Sequence, residues 1–519
     1  MTDTALNPLR FELGTQARWL LWLLPAILFL MNLGGAPLFD VDEGAFSEAT
    51  REMFVRHDFL STFLNGAPRF DKPILIYWCQ AIFVWLLGPN EWSFRLPSAL
   101  AASTWCYAVG VFAWQRFGRE AGWLACGIAA TSLGVHIIGR AATADALLNM
   151  LLTLALLDAW RHLESGQRKP LLRSFLWIGL GVLTKGPIAL LVPGATTFLY
   201  CASTHRWKDW RNSVFSPLGW AILLAVTVPW YAAEIAVNGK DFIDGFIMKH
   251  NVDRFSHTLE GHSGSLFYYV LMIPLLLLPW LAWVIAALRR LPADWREPLP
   301  RFLWIWFLFV TVFFSLSGTK LPHYALYGCT PLFILLAIHR DRVRKALVGA
   351  LPLLFLMVIF LALPNLLAYT LASGWVKDAF YQAQLGRWHD AIPAGYHALV
   401  AASLAASLAI LARQHQVWQK VLAIACLNTL LLSLAVAPLL GDILQGPVKR
   451  AALYARTRPE PGILWNFHMP SFSVYRQQVS PTVQASSGQI ALTRFDRLPP
   501  DRPVDILFRE GGVVLVKVH

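Results

Sequence analysis

Two adjacent carboxylates, Asp42 and Glu43, stand in a polar segment directly after the first hydrophobic run, and Arg69-Phe70-Asp71-Lys72-Pro73 follows them. Ionised groups beside hydrocarbon are costly and are kept where they bind or react. The chemistry open to such a carboxylate is to accept a proton from an attacking hydroxyl, or to orient it. At about 100° per residue, Asp42, Phe46, Ala49 and Met53 share one face of a helix over 42–58, while Glu48 and Arg51 point away. An aspartate that begins a helix can also serve only as its cap. The second carboxylate and the apolar surroundings favour function for Asp42. Asp145, in Arg140-Ala-Ala-Thr-Ala-Asp145-Ala-Leu-Leu at the end of a later run, is open to the same two readings. Together, Asp42 and Asp145 can converge on one acceptor hydroxyl.

Cations gather at the same side. Lys72, Lys185 (Leu-Thr-Lys185-Gly-Pro), Arg254 and Lys320 (Gly-Thr-Lys320-Leu-Pro-His-Tyr324) lie at span ends where the positive-inside tendency makes cations unusual. Taken singly, each reads as a lysine or arginine reaching for headgroups. As a set they suit an anionic group held at the interface, with arginine offering a bidentate fork and lysine a point charge. The stretch Lys249-His250-Asn-Val-Asp253-Arg254-Phe255, followed by His257 and His262, offers a phosphate contact with a base or metal ligand, or else a solvated loop.

The elements that must position these groups are membrane helices. The chain has 519 residues, 56% hydrophobic and 14% charged, with mean hydropathy +0.50. Its principal solvent is therefore lipid. The net charge of +13 comes in short clusters between apolar runs rather than in a basic stripe, which argues against nucleic acid as a partner. The six cysteines form no CxxC or Cys/His ligand spacing. Arg10 and Arg18 before an apolar run, then Gly34-Gly35-Ala36, imitate a secretory signal whose removal leaves the later topology unchanged.

Thirteen apolar runs between residues 18 and 440 approach the length needed for a ~30 Å hydrocarbon core. A further run, 73–88, is short. If it does not cross, the basic clusters at Arg116/Arg119, Arg161–Arg173, Arg206–Arg211, Arg289–Arg301, Arg340–Lys345 and Arg413/Lys420 all face the cytoplasm. It is therefore expected to be a juxtamembrane or re-entrant helix within a first outer loop, 36–95. A second outer loop spans 237–264, and residues 1–440 form the membrane domain. Beyond residue 441, Ile463–Phe467, Phe472–Tyr475, Gln489–Thr493 and Val504–Val518, turning at Gly511-Gly512, suggest strands of a small extracytoplasmic domain, 441–519.

Asp42-Glu43-Gly-Ala-Phe-Ser-Glu-Ala-Thr-Arg51-Glu52-Met53, Asn65-Gly66 and Phe70-Asp71-Lys72-Pro73-Ile-Leu-Ile-Tyr77-Trp78 resemble the first outer loop of the GT-C glycosyltransferases. The resemblance is greatest to the bacterial lipid A aminoarabinose transferases and their polyprenyl-phosphate-sugar relatives. Arg95-Leu-Pro-Ser, Gly139-Arg140 to Asp145, Leu183-Thr-Lys185-Gly-Pro and Lys320-Leu-Pro-His-Tyr324 match in the same order, over roughly residues 18–340. The resemblance implies an all-α polytopic membrane protein of GT-C architecture, about 13 transmembrane helices, with a small α/β C-terminal extracytoplasmic domain.

It also implies an inverting transfer from an undecaprenyl-phosphate sugar to lipid A or another lipid-linked or saccharide acceptor, on the periplasmic face of the bacterial inner membrane. Asp42, with Glu43 beside it, resembles the catalytic carboxylate, and Asp145 the second acid. Lys72, Arg254 and Tyr324 resemble the donor-phosphate contacts, with Lys185 and Lys320 beside them. The transfer needs no cofactor; the family's divalent-metal pair would fall on Asp71, in place of the usual Glu, and His250. Close relatives carry Arg three positions after the catalytic Asp, where this chain has Ala45, and their C-terminal domain is longer. Both departures bear on the sugar and acceptor rather than on the reaction class. The rival readings are a multi-span transporter or lipid flippase, which would place charge near mid-span in broken repeats, and an O-antigen polymerase or ligase, in which Asp42 would be dispensable.

Overall fold

The computed structural model describes residues 11–253, 264–498 and 503–519. Each of the thirteen expected runs forms a helix or a broken helix. α1 (Thr15–Leu30) precedes a long connection that contains α2 (Asp42–Arg56) and α3 (Leu75–Leu87). α4 (Glu91–Phe117), α5 (Arg119–Thr131), α6 (Leu133–Arg140), α7 (Asp145–Ser165), α8 (Arg168–Lys185) and α9 (Ile188–Ser203) follow. Among the described residues, five helices are individually long and apolar enough to cross a membrane, and α5 with α6, bent by 63°, makes a sixth. Others are shorter or interrupted: Tyr268–Leu276 and Leu281–Leu288 flank Pro279, and a 3₁₀ turn over Pro322–Gly328 leads into Thr330–Ile338. Proline lacks the N–H that a continuing helix requires, which accounts for breaks at such positions. The chain is a multi-pass membrane protein.

α3 has 13 residues and is roughly 20 Å long, well short of the hydrocarbon thickness. Its Ile82, Trp85, Leu86 and Leu87 are exposed, while Ile76, Tyr77 and Gln80 are fully buried. One face thus packs on the protein and the other is apolar and open, the pattern of a helix that lies against lipid.

The C-terminal sheet has the order β3 (Gly462–Leu464), β4 (Ile490–Arg494), β6 (Val513–Val518), β5 (Val504–Glu510), with β3 and β4 parallel and the other pairs antiparallel. The β5–β6 hairpin turns at Gly511-Gly512 as expected, Gly511 at φ +54°. Phe472–Tyr475 is not a strand: it lies in a helix, Ser471–Arg476, whose residues are all buried. A four-residue apolar run carries no period by which to choose, and burial on several sides favours the helix. The compositional change at 441 falls inside a continuous helix, Ala437–Arg456. That helix and the sheet share one apolar core with Leu38, Phe94 and Ala142. The sheet is thereby packed onto the segments around α2 and α3, which it helps to position.

Candidate active site

The segment before α2 is held by two arginines. Arg140 donates to the carbonyls of Phe29 and Met31, both at 2.7 Å, and of Asn32 at 2.9 Å, closing the end of α1. Arg95 donates to the carbonyls of Leu33, Ala36 and Pro37 and forms a bidentate pair with Glu43 at 2.8 and 2.7 Å. Glu43 also accepts from the backbone N–H groups of Phe39 and Ala142. Its two oxygens therefore take four hydrogen bonds, and it braces the loop.

Asp42 is different. It opens α2 with no capping hydrogen bond, its residue is exposed, and its carboxylate accepts from no described residue. It lines a cavity of about 660 Å³ that also includes Arg140, Asp145 and His323. The expected apolar face of α2 is buried at Phe46, Ala49 and Met53, but Asp42 stands clear of it. Glu48 and Arg51, expected to point away, are instead buried and paired at 2.7 Å. The Ser471–Arg476 helix covers α2 from the side that the sequence left open. Ser471 donates from its backbone N–H and its hydroxyl to Asp40. A side chain at Gly44 would meet Asp40 Oδ1 at 1.9 Å, so this contact requires glycine there. Burial pushes the Asp40 carboxyl up to about 7, against the hydrogen bonds from Ser471, with Glu43 adding to the rise.

Asp145, first residue of α7, turns inward. Its Oδ1 accepts from Lys185 Nζ at 2.5 Å and from the Tyr327 hydroxyl at 3.0 Å, and His323 Nε2 lies 3.7 Å away. Lys185 Nζ also reaches Tyr327 Oη at 2.8 Å and lies 5.5 Å from the centroid of the Tyr324 ring. Lys185, Tyr324 and Tyr327 line a second cavity of about 200 Å³, shared with Asp71, Lys72 and His250. Asp145 borders the large cavity, so the Asp145–Lys185–Tyr327 cluster is the partition between the two.

Asp71 and Lys72 reach the small cavity on a hairpin, β1 (Phe63–Leu64) and β2 (Ala67–Pro68), turned by Asn65 (φ +51°) and Gly66 (φ +88°). Asn-Gly suits a two-residue turn that needs positive φ at both positions. Asp71 contacts His250 Nε2 at 2.8 Å and Arg69 Nε at 3.2 Å. Burial opposes its charge, but the hydrogen bond from His250 and the fields of Arg69, His250 and Lys72 outweigh it and hold the carboxyl well below its ordinary range.

Asp71 and His250 are thus engaged with each other, and among the described residues no third His, Cys, Asp or Glu joins them as a metal site. Arg69 and Lys72 flank these two described donors with positive charge. Lys320 donates to the carbonyl of Ser317 at 2.7 Å and lines neither cavity, which departs from the phosphate contact expected of it. Arg254, His257 and His262 lie outside the described residues. Arg69, His323, Tyr327 and Asp40 were not singled out from sequence. The one local signal was the cation at 69 beside Asp71; the others depend on contacts across the chain.

This arrangement sits on a recognisable scaffold. The chain superposes on the crystal structure of ArnT from Cupriavidus metallidurans bound to undecaprenyl phosphate with a TM-score of 0.80, covering 97% of this chain and 98% of that one at 21% identity. The fold is GT-C. Within this GT-C chain, residues 71–232 match the family model for dolichyl-phosphate-mannose-protein mannosyltransferase. It is 29% identical over 375 residues to the undecaprenyl phosphate-alpha-4-amino-4-deoxy-L-arabinose arabinosyl transferase of Yersinia enterocolitica. To the enzyme of that name from Erwinia tasmaniensis it is 30% identical over 325 residues. These matches cover 69% and 60% of this chain, and 65% and 57% of the relatives' own lengths.

Proposed function

We propose that the chain is an integral-membrane glycosyltransferase that moves a sugar from a polyprenyl-phosphate donor to lipid A or another envelope acceptor, with inversion, at the periplasmic face of the bacterial inner membrane. The observation that carries this reading is the division of labour across the Asp145–Lys185–Tyr327 partition. On one side stands Asp42, whose carboxylate accepts no hydrogen bond from a described residue, in a cavity large enough for an acceptor. On the other, Lys72, Lys185 and Tyr324 surround a narrow cavity suited to a phosphate. The likeness to an ArnT bound to undecaprenyl phosphate and to named arabinosyl transferases supports the same donor class.

In this mechanism Asp42 orients the acceptor hydroxyl and takes its proton as the oxygen attacks the anomeric carbon from the face opposite the phosphate. The bond from that carbon to the phosphate oxygen breaks as the new bond forms, and polyprenyl phosphate leaves. Negative charge grows on the departing phosphate, and fixed cations already in place lower the barrier without reorganising. Lys72 and Lys185 supply that charge. Asp145 positions Lys185, Glu43 holds the loop that presents Asp42, and Lys320 acts on its own turn.

The test is binding of undecaprenyl phosphate to purified protein in nanodiscs. A charge-assisted contact is worth about 1.5–3 kcal/mol, so Lys72→Gln should weaken affinity roughly tenfold or more while the protein stays folded. Unchanged affinity would remove Lys72 from the donor site. No binding by the wild-type chain would overturn the reading as a whole.

A further inference from the structure

Arg69 is built into the site in a way that phosphate binding and acceptor activation do not require. Its side chain is 9% exposed, and its Nε is held by Asp71. Its guanidinium carbon lies 5.0 Å from the centroid of the Phe46 ring. Phe46 in turn stacks on Tyr77, with ring centroids 5.4 Å apart and planes inclined by 21°. The planar group is thus fixed in place from one edge and one face. Yet Arg69 Nη1 is buried without a hydrogen-bond partner, and so is the hydroxyl of the fully buried Tyr77. Tyr77 and Asp42 both lie close enough to act electrostatically on the guanidinium.

Buried donors left unpaired cost on the order of a hydrogen bond each, so two of them within electrostatic reach of one another mark a place that an acceptor occupies in the working protein. No side chain among the described residues provides that acceptor. The position says what does. Through Asp71, Arg69 adjoins the cavity lined by Lys72, and its guanidinium feels the charge of Asp42, which lines the larger cavity. On the reading proposed above, the group lying between donor phosphate and acceptor is the sugar being transferred.

We infer that Arg69 and Tyr77 form the sugar-recognition subsite and that the sugar presents a carboxylate to them, so that the chain uses an acidic monosaccharide rather than an amino sugar. A guanidinium is permanently charged and donates only, so it pairs with a carboxylate and repels an ammonium. The Tyr77 hydroxyl supplies a second donor beside it. Between like charges in a desolvated site discrimination is strong, because the wrong ligand leaves the buried donors unpaired and adds repulsion. The inference rests on the proposed donor class but is separable from it.

The experiment uses the full chain in nanodiscs and four probes: undecaprenyl phosphate itself, and three undecaprenyl-phosphate monosaccharides that share one pyranose ring and bear a carboxylate, a hydroxymethyl or an amine. The carboxylate donor should bind at least about tenfold more tightly than the amine donor, with the hydroxymethyl donor between them. Tyr77→Phe deletes one hydroxyl, and Arg69→Lys keeps the charge but loses the second nitrogen. Each should shrink the preference for the carboxylate several-fold while leaving the affinity for undecaprenyl phosphate alone in place. Equal binding of the three donors, preference for the amine or hydroxymethyl donor, or an equal loss for all four probes in both variants would overturn the subsite. Failure of wild type to bind undecaprenyl phosphate would instead overturn the donor class, and the subsite with it.

Discussion

The ammonium of Lys185 lies 2.5 Å from Oδ1 of Asp145 and 2.8 Å from the hydroxyl of Tyr327, joining a cation of the small cavity to an acid of the large one. Neither member is free to act alone. Asp145→Asn should leave Lys185 charged and poorly paired, destabilising the fold by on the order of 3 kcal/mol. In Asp145→Asn/Lys185→Met no charge remains, and the double variant should be no less stable than Asp145→Asn. Thermal unfolding in detergent of the two single variants and the double variant measures the coupling; additive losses would mean that the pair is not a unit.

Asp42 should behave oppositely. Its carboxylate makes no hydrogen bond to a described residue, so Asp42→Asn should change stability by less than about 0.5 kcal/mol. As general base it should nonetheless lower transfer by roughly two to four orders of magnitude. Donor binding should stay near wild type, because the residue lines the large cavity and not the one lined by Lys72 and Lys185. Near-normal turnover in this variant would remove Asp42 from the chemistry.

Glu43 and Asp42 are neighbours in sequence but should separate cleanly in such measurements. Glu43→Gln removes the charge that faces a buried Arg95 and turns one accepting oxygen into a donor facing other donors. The expected loss is about 3–5 kcal/mol of stability, seen as a lower unfolding temperature, with activity falling only as folded protein is lost. A stable Glu43→Gln protein without activity would return Glu43 to the reacting groups.

The contrast between these two carboxylates marks how far sequence could reach. Hydropathy located the apolar helices, because lipid imposes length and composition on any helix that crosses it. The Asn65-Gly66 turn and the Gly511-Gly512 hairpin were legible for a local reason, the need for positive φ. Asp42, Asp145, Lys72 and Lys185, singled out because charge at a membrane boundary is rare, line the two cavities. Adjacent carboxylates look alike in sequence, however, and only the approach of Arg95, 52 residues away, distinguishes Glu43. Tyr327 reaches Asp145 across 182 residues, and the Ser471–Arg476 helix reaches Asp40 across 431. Glu48 and Arg51 are buried and paired with each other, which no period within α2 could reveal.

The contact between Asp40 and Ser471 gives the site a pH signature. The folded chain holds the Asp40 proton up to about pH 7, whereas an exposed aspartate loses it near 3.8, because burial in the folded state disfavours the charged form. Between these values the native state carries more protons than the unfolded one, so stability must fall as pH rises through that window and level off above it. Ser471 continues to donate to the ionised form, and Glu43 nearby opposes it. Asp40→Asn keeps an oxygen for the Ser471 N–H and has no charge to develop. Unfolding temperatures of wild type and Asp40→Asn, measured in detergent from pH 4 to 8, should therefore diverge, with the variant gaining relative to wild type as pH approaches 7. A difference that stays constant across the range would mean that Asp40 is ionised throughout, and that Ser471 and the C-terminal sheet stabilise its charge rather than exclude it.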